Sequence, residues 1–188
     1  YMVGMAIHAH NMQTVLAQNV NSLEMQWRQL IPQQERGRKF EERYAQLQYM
    51  LLDGDMETLS ESKHTTKKEN TRVRWIGYKD QFFSTVMIAD EAFTSSYFES
   101  SPQDKHSRYI KEYTTTTSVG FDVTGQNETT FRYFFGPNHY NTLKAYDKDV
   151  EKENRLHLQE LVPLGWKIVS WIDKILVIPM FDLFTSWG

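Results

Sequence analysis

The sequence predicts a mainly β protein, an antiparallel sandwich or barrel that carries a helical element at its C-terminal end. Three observations lead there. Aromatic residues make up 14% of the chain, with ten Tyr and eleven Phe, and these side chains favour the pleated, half-buried surface of a strand. Apolar and β-branched runs follow one another between clusters of Gly, Pro, Ser and Asp, with no helical pattern between them. That spacing argues against βαβ units and for antiparallel pairing. Beyond Tyr140 the character of the chain changes to charged and helix-compatible, and then to strongly apolar.

The elements can be taken in order. Residues 1–7, Tyr-Met-Val-Gly-Met-Ala-Ile, are apolar but have neither a basic leader nor a small-residue cleavage site, so they do not form a signal peptide. The chain is expected to begin inside a longer protein. Leu23, Met25 and Trp27 alternate with Glu24, Gln26 and Arg28, the period of a half-buried strand. Residues 33–43 are charged and expected to be exposed, whereas 44–52 suit a strand or a helix equally. Residues 53–70 are polar and predict a turn followed by a long solvated loop. The strongest core segment is 75–89, where Phe82, Phe83, Val86 and Ile88 lie close together. Residues 93–98 and 109–117 are β-branched and aromatic, with Ser100-Ser-Pro102 between them, and the run 129–135 stops at Gly136-Pro137. From 141 to 160, Asp147, Asp149, Glu151, Glu153 and Glu160 are interspersed with Lys144, Lys148, Lys152 and Arg155. The expected division is therefore a β-sandwich domain over 1–140 and a helical region over 141–188.

Composition and motif content narrow the chemistry. With 188 residues the chain can bury a core without staples. Its formal charge of −3 gives no basic excess for nucleic acid, and with no cysteine it has no disulfide, thiolate metal site or thiol nucleophile. His8 and His10 would share a face on a strand, but no third ligand lies near them in sequence. Asp53-Gly54-Asp55 lacks the ligand spacing and terminal Glu of a calcium loop and reads as a two-Asp turn. His64 and His106 fall in polar loops, His139 at a turn and His157 on the charged helical stretch. None pairs by sequence with a carboxylate for acid–base work. No phosphate loop, Gly-x-Ser-x-Gly or His-Glu-x-x-His occurs. Thr114 to Thr117 reads as strand propensity, and Asn127-Glu-Thr129 as an incidental glycosylation acceptor. The expectation is a non-catalytic protein without cofactor or metal.

The end of the chain is the most distinctive part. Three of the five tryptophans, Trp166, Trp171 and Trp187, lie in the last 23 residues, and 17 of the 28 residues from 161 to 188 are apolar. Lys167, Ser170, Asp173 and Lys174 recur at three- and four-residue spacing, while Ile168, Val169, Trp171, Ile172, Ile175, Leu176 and Ile178 fill the remaining face. This is an amphipathic helix. Pro179 ends it but suits the first turn of a second short helix through Phe184. An unbroken run of ~20 apolar residues would be needed to span a bilayer, and this segment is too short and too charged. Two readings stand side by side: a helix packed on the protein's own core, and a helix lying in the membrane plane with Trp rings at headgroup level and Lys167 and Lys174 snorkelling.

Several of these features together resemble the YidC-type membrane protein insertases. Leu164-Gly-Trp-Lys-Ile168, the amphipathic run and Ser186-Trp-Gly188 are similar to the segment before that family's second transmembrane helix. Trp75-Ile-Gly-Tyr-Lys-Asp-Gln-Phe-Phe-Ser-Thr-Val-Met-Ile88 resembles its Trp, aromatic pair and hydrophobic strand. Phe134-Phe-Gly-Pro137 followed by Leu143 resembles its junction of strand, Gly-Pro and helix. The likeness covers about residues 75–188, fits 1–74 only loosely, and leans to a Bacteroidetes-type member. It implies the C-terminal part of an extracytoplasmic domain, an antiparallel β-supersandwich like the galactose-mutarotase folds, ending in amphipathic helices at the membrane. The family's domain is longer than 188 residues, so the resemblance implies that its N-terminal portion is not in this chain. The groove that takes up inserting substrates belongs to other parts of such proteins.

What the resemblance implies is the periplasmic domain of an inner-membrane insertase, acting as scaffold and docking module. Its partners would be the lipid surface, accessory subunits of the Sec translocon and, through the rest of the protein, nascent membrane proteins. The expected membrane face is Trp166, Trp171, Ile172, Ile175, Leu176, Phe181, Phe184 and Trp187, with Lys167 and Lys174 at the headgroups. The rival expectations are a carbohydrate-binding or epimerising mutarotase-like sandwich and an adhesin-like module.

Overall fold

The computed structural model of the chain describes residues 1–59 and 63–162. It divides into two compact units, Tyr1–Asn138 and His139–Gly188. The described residues of the first unit form nine strands in one antiparallel sheet. They are β1 (Met2–Ile7), β2 (Ser22–Pro32), β3 (Gln46–Leu51), β4 (Met56–Thr58), β5 (Thr65–Glu69), β6 (Val73–Lys79), β7 (Phe83–Pro102), β8 (Tyr109–Gly120) and β9 (Thr129–Pro137). The mainly β, antiparallel architecture agrees with the expectation from sequence.

The 20-residue β7 makes one sheet into two layers. Its first half pairs with β6 and β9, its second half with β5 and β8. On β6 the partners step from Trp75 to Val73, while on β7 they jump from Ile88 to Phe93, so residues 89–92 turn a corner. Such a bulge bends a strand and adds twist. Arg132 Nε on β9 donates to Asp90 Oδ1 at 2.8 Å and ties the corner down. One layer is therefore β1-β9-β7-β6-β3-β4, and the other is β5-β7-β8-β2.

The core lies between the layers and is aromatic. Trp27 of β2 stacks on Tyr78 of β6 with ring centres 3.9 Å apart, and Tyr49 of β3 stacks on Phe98 of β7 at 4.4 Å. Leu47, Ile76, Met87, Phe93, Ile110 and Phe131 fill the space around them. The Tyr78 hydroxyl donates to Thr115 Oγ1 at 2.8 Å and lies 3.0 Å from the Trp27 carbonyl, so a buried phenol keeps its hydrogen bonds. Trp75, Val86, Ile88 and Phe134 point to the opposite face of the first layer and are buried as well. Burial on both faces explains why 75–89 reads as a continuous apolar run rather than an alternating one. By contrast β8 alternates, with Thr115 and Thr117 buried and Thr114 and Thr116 turned outward.

Turn chemistry sets the corners. Gly54 adopts φ +102° in the β3–β4 turn, where the Asp53 carboxylate accepts the Asp55 amide at 3.3 Å. This is the two-Asp turn expected from sequence. The Asp80 carboxylate accepts the amides of Phe82 and Phe83 at 2.7 and 2.6 Å and closes the β6–β7 hairpin. The Asp122 carboxylate organises the β8–β9 loop through Thr124 and Asn127. In that loop Gly125 has φ +74°, and a Cβ there would come within 2.2 Å of the Ala9 carbonyl oxygen.

Three sequence expectations need correction, and one left open is resolved. Residues 53–70 are not one long loop: they contain β4 and β5, because β5 finds a partner in β7 despite its Lys67-Lys68-Glu69 composition. Residues 33–43 are not uniformly exposed. They lead into helix α1 (Arg38–Tyr44), whose Glu41 is buried and accepts the backbone amides of Gln34 and Glu35. The ambiguous 44–52 is mostly strand β3. Phe82 and Phe83 stand at the hairpin tip and are exposed rather than buried, at 38% and 52%.

The second unit was expected to be helical along 141–160. Its described residues contain one short helix, α2 (Tyr140–Lys144), and 3-10 turns at Ala145–Asp147, Lys152–Asn154 and Leu158–Leu161. Acidic side chains compete for backbone donors and interrupt a helix. Here the Asp147 carboxylate accepts the amides of Leu156 and His157 at 2.7 and 2.9 Å. Asp149 and His157 both take positive φ, 59° and 51°, so His157 lies at a turn and not within a helix. Leu143, Leu156, Leu158, Leu161 and Val162 are buried in this stretch.

Candidate interaction surfaces

The residues expected from sequence to meet a membrane, Trp166, Lys167, Trp171, Ile172, Lys174, Ile175, Leu176, Phe181, Phe184 and Trp187, lie outside the described residues. No helix among the described residues is long and apolar enough to cross a membrane. The surfaces that can be built residue by residue are the two edges of the sandwich, one cavity at its corner and one cavity in the second unit.

At the β4–β5 edge the layers are closed by polar side chains. Lys67 of β5 reaches Glu57 of β4 at 3.3 Å and Glu69 at 3.9 Å. It also sits 5.2 Å from the centre of the Tyr49 ring. The Tyr49 hydroxyl donates to Glu69 Oε2 at 3.3 Å. Burial raises the Tyr49 phenol above its ordinary pKa, and the bond to Tyr49 raises the Lys67 ammonium. Glu69 is held below the usual carboxylate range, chiefly by the Thr71 amide.

The β1–β2 edge differs. Among the described residues β1 pairs only with β9, and β2 only with β8. In β1, Val3 is 57% and Met5 41% exposed; nearby Phe83 and Phe135 are exposed too. The Tyr133 ring stacks on Phe135 at 5.9 Å and meets Trp27 edge-on at 6.3 Å. Val3 opposes Tyr133 and Thr85 opposes Phe135, so an apolar stripe on the inner face of the first layer continues out to this edge. An edge strand with exposed apolar side chains is a template for a further strand. The apolar run 1–7 was the sequence signal for it, but which side chains it exposes was not legible there.

A cavity of about 260 Å³ sits at the corner, lined among others by Glu91, Phe121, Asp122, Glu128, Thr129 and Phe131. Its Asp122 is committed to the loop. Hydrogen bonds from Thr124, side chain first, and from Asn127 bring its pKa down to about 2. Glu128 lies 3.4 Å from His8 Nδ1.

The histidines are spread over the chain. His8 and His10 stack at 6.3 Å just beyond the end of β1, not on a strand face. His64 approaches Ser101 at 3.0 Å, His139 approaches Thr142 at 3.0 Å, and His157 lies 3.6 Å from Glu160. Among the described residues no three His, Asp or Glu side chains gather as metal ligands.

Two cations, half-buried Arg38 and buried Lys111, serve the fold. The Arg38 guanidinium donates to the carbonyls of Gln103, Asp104, Ser107 and Tyr109 at 2.8 to 3.1 Å, and so shapes the β7–β8 loop. Lys111 Nζ donates to the Glu42 and Ala45 carbonyls at 2.9 and 2.6 Å, which satisfies the C-terminal end of α1.

In the second unit a cavity of about 400 Å³ is lined by Lys144, Asp147, Lys148, Arg155, His157 and Gln159, with Asn141 and Ala145. Arg155 Nε donates to the Val150 carbonyl at 3.1 Å.

Comparison with known proteins gives these surfaces a family. The YidC periplasmic domain matches residues 1–179, so the likeness includes the first 74 residues, whose motifs resemble the family only loosely. A membrane protein insertase YidC of Azobacteroides pseudotrichonymphae is 45% identical over 99% of this chain and 30% of its own length. One of Parabacteroides distasonis is 45% identical over 97% of the chain and 29% of its own length. One of Bacteroides fragilis is 39% identical over the whole chain and 30% of its own length. The chain thus spans about three tenths of the relatives it matches, and over nearly all of its residues it belongs to the YidC periplasmic domain family.

Proposed function

We propose that this chain is the periplasmic domain of a membrane protein insertase, a non-catalytic scaffold that holds the insertase at the membrane surface. The observation that carries this reading is the family match over residues 1–179, supported by relatives that bear the insertase name. In this reading residues 1–140 form the sandwich, and 141–188 are the region that lies against the bilayer and leads to a transmembrane helix. Trp166, Trp171, Ile172, Ile175, Leu176, Phe181, Phe184 and Trp187 sink into the interface, and Lys167 and Lys174 stay at the headgroups. Nascent membrane proteins are handled by the remainder of the protein. Accessory subunits of the Sec translocon dock on the domain.

Liposome flotation tests the membrane claim. The chain floats with anionic vesicles, and a form ending at Pro163 does not. Equal flotation of the two would refute the assignment of the interface to the tail. The corner cavity gives no support to a sugar-processing alternative: Asp122 is consumed by its own loop, and His8 is not among the residues that line it.

A further inference from the structure

We propose that the cavity of the second unit receives the phosphate of an anionic lipid headgroup, an inference that rests on the membrane-apposed reading above. Charge in this segment is sorted in space rather than in amount. Residues 144–160 carry four cations and five carboxylates, an overall acidic balance. Yet three of the four cations, Lys144, Lys148 and Arg155, line the cavity, against one of the five carboxylates, Asp147. That carboxylate is engaged by the amides of Leu156 and His157, so it is turned to the backbone and its charge is partly met. Asp149, Glu151, Glu153 and Glu160 are not part of the lining.

The cations are placed to meet a ligand. Lys144, Lys148 and Arg155 are exposed, and Lys148 is in no ion pair among the described residues. Gln159 also lines the cavity, and its side-chain oxygen is buried without a hydrogen-bond partner. It can accept from a hydroxyl on a headgroup whose phosphate meets the cations. About 400 Å³ is ample for a glycerophosphate group. Small soluble phosphates are commonly gripped by backbone N–H groups in a nest or at a helix N-terminus. Long, exposed Lys and Arg side chains round an open cavity suit instead a headgroup presented by a surface. The apolar stretch that follows in sequence, with 17 apolar residues of 28 between 161 and 188, would bring such a surface close.

The test uses the whole chain and vesicles of phosphatidylcholine alone or in equal mixture with phosphatidylglycerol. Lys148→Gln with Arg155→Gln is compared with Lys68→Gln with Lys105→Gln, which removes the same charge from elsewhere on the surface. Each basic residue near an anionic surface contributes about fivefold in affinity, so the cavity pair should weaken binding to the mixed vesicles by roughly thirtyfold. The control pair should change it much less, and binding to phosphatidylcholine alone should not move. Lys148→Gln alone should lose about fivefold; this exposed position keeps the test valid should the double variant melt early. Equal losses in both pairs, or no loss in the cavity variants, would overturn the proposal while flotation of the parent chain leaves the membrane reading standing. Abolition of vesicle binding by millimolar inorganic phosphate, with the cavity variants insensitive to it, would overturn it in favour of a soluble phosphate site. Failure of the parent chain itself to float would sink both readings.

Discussion

The two edges of the sandwich are closed by opposite means. At the β4–β5 edge, a Tyr and a Lys are held between two carboxylates, and Tyr49 is fully buried beneath them. At the β1–β2 edge, Val3, Met5, Phe83 and Phe135 are exposed, and among the described residues the backbone of β1 has a partner on one side only. Polar pairs blunt a sheet edge because a buried or paired charge discourages a further strand, whereas an apolar edge invites one. Among the described residues one edge of this domain is closed by polar pairs and the other has no further strand beside it.

Substitutions sharpen that contrast, beginning with the largest effect. Tyr49→Ala at the closed edge should destabilise the chain by about 3–5 kcal/mol, as truncation of a buried aromatic does, read as a lower urea midpoint. A loss below about 1 kcal/mol would mean that this edge is not a packed element. At the centre, Tyr78→Phe should cost about 1–2 kcal/mol, since it leaves the Trp27 carbonyl and Thr115 hydroxyl without their partner. Lys67→Gln should cost less than about 1 kcal/mol, because the ammonium is more than a third exposed and solvent screens its pairs. Phe135→Ser at the open edge should fall within about 0.5 kcal/mol of the parent, and a large loss there would remove the distinction between the edges.

Met5→Lys tests availability rather than stability. It should leave the melting temperature unchanged and reduce concentration-dependent self-association in sedimentation velocity. Increased association would contradict an apolar, strand-accepting edge.

Acid provides a further comparison, between the loops. The folded pKa of Asp122 lies near 2, below its value in the unfolded chain. Its contribution is therefore fully present above the ordinary carboxylate pKa and is lost as pH falls from about 4 towards 2. Glu112, lowered by its bond to Arg28, adds in the same direction. Asp122→Asn should flatten the acid limb of the stability profile, and an unchanged limb would show that the loop bonds do not couple to folding.

Much of the fold was legible where one period dominates. The alternation of Leu23, Met25 and Trp27 with polar residues appears as half-buried β2, and the continuous run after Trp75 as strands buried on both faces. Turns with a carboxylate or Gly at the right place, such as Asp53-Gly54-Asp55, could also be read. What could not be read were elements whose stability comes from a distant partner. β5, with Thr-Thr-Lys-Lys-Glu, is a strand because the second half of β7 offers it hydrogen bonds. Phe82 and Phe83 looked like core but fall at a hairpin tip fixed by Asp80. Local pattern reports the faces of a strand; it does not report where a chain reverses over its neighbours.

The site divides in the same way. The apolar, Trp-rich tail is a property of composition and spacing, and the sequence alone marks it as amphipathic. The sorting of Lys144, Lys148 and Arg155 to one cavity, in a segment that is acidic on balance, arises only when Asp147 bonds back to Leu156 and His157 and folds the segment into short turns. Composition and periodicity determined that this is a β protein, because burial of apolar faces is a local, periodic demand, and they are what the expectation of an amphipathic end rests on. Tertiary structure decided which edge is closed, which is open and where the cations converge, because those depend on contacts between residues far apart in the chain.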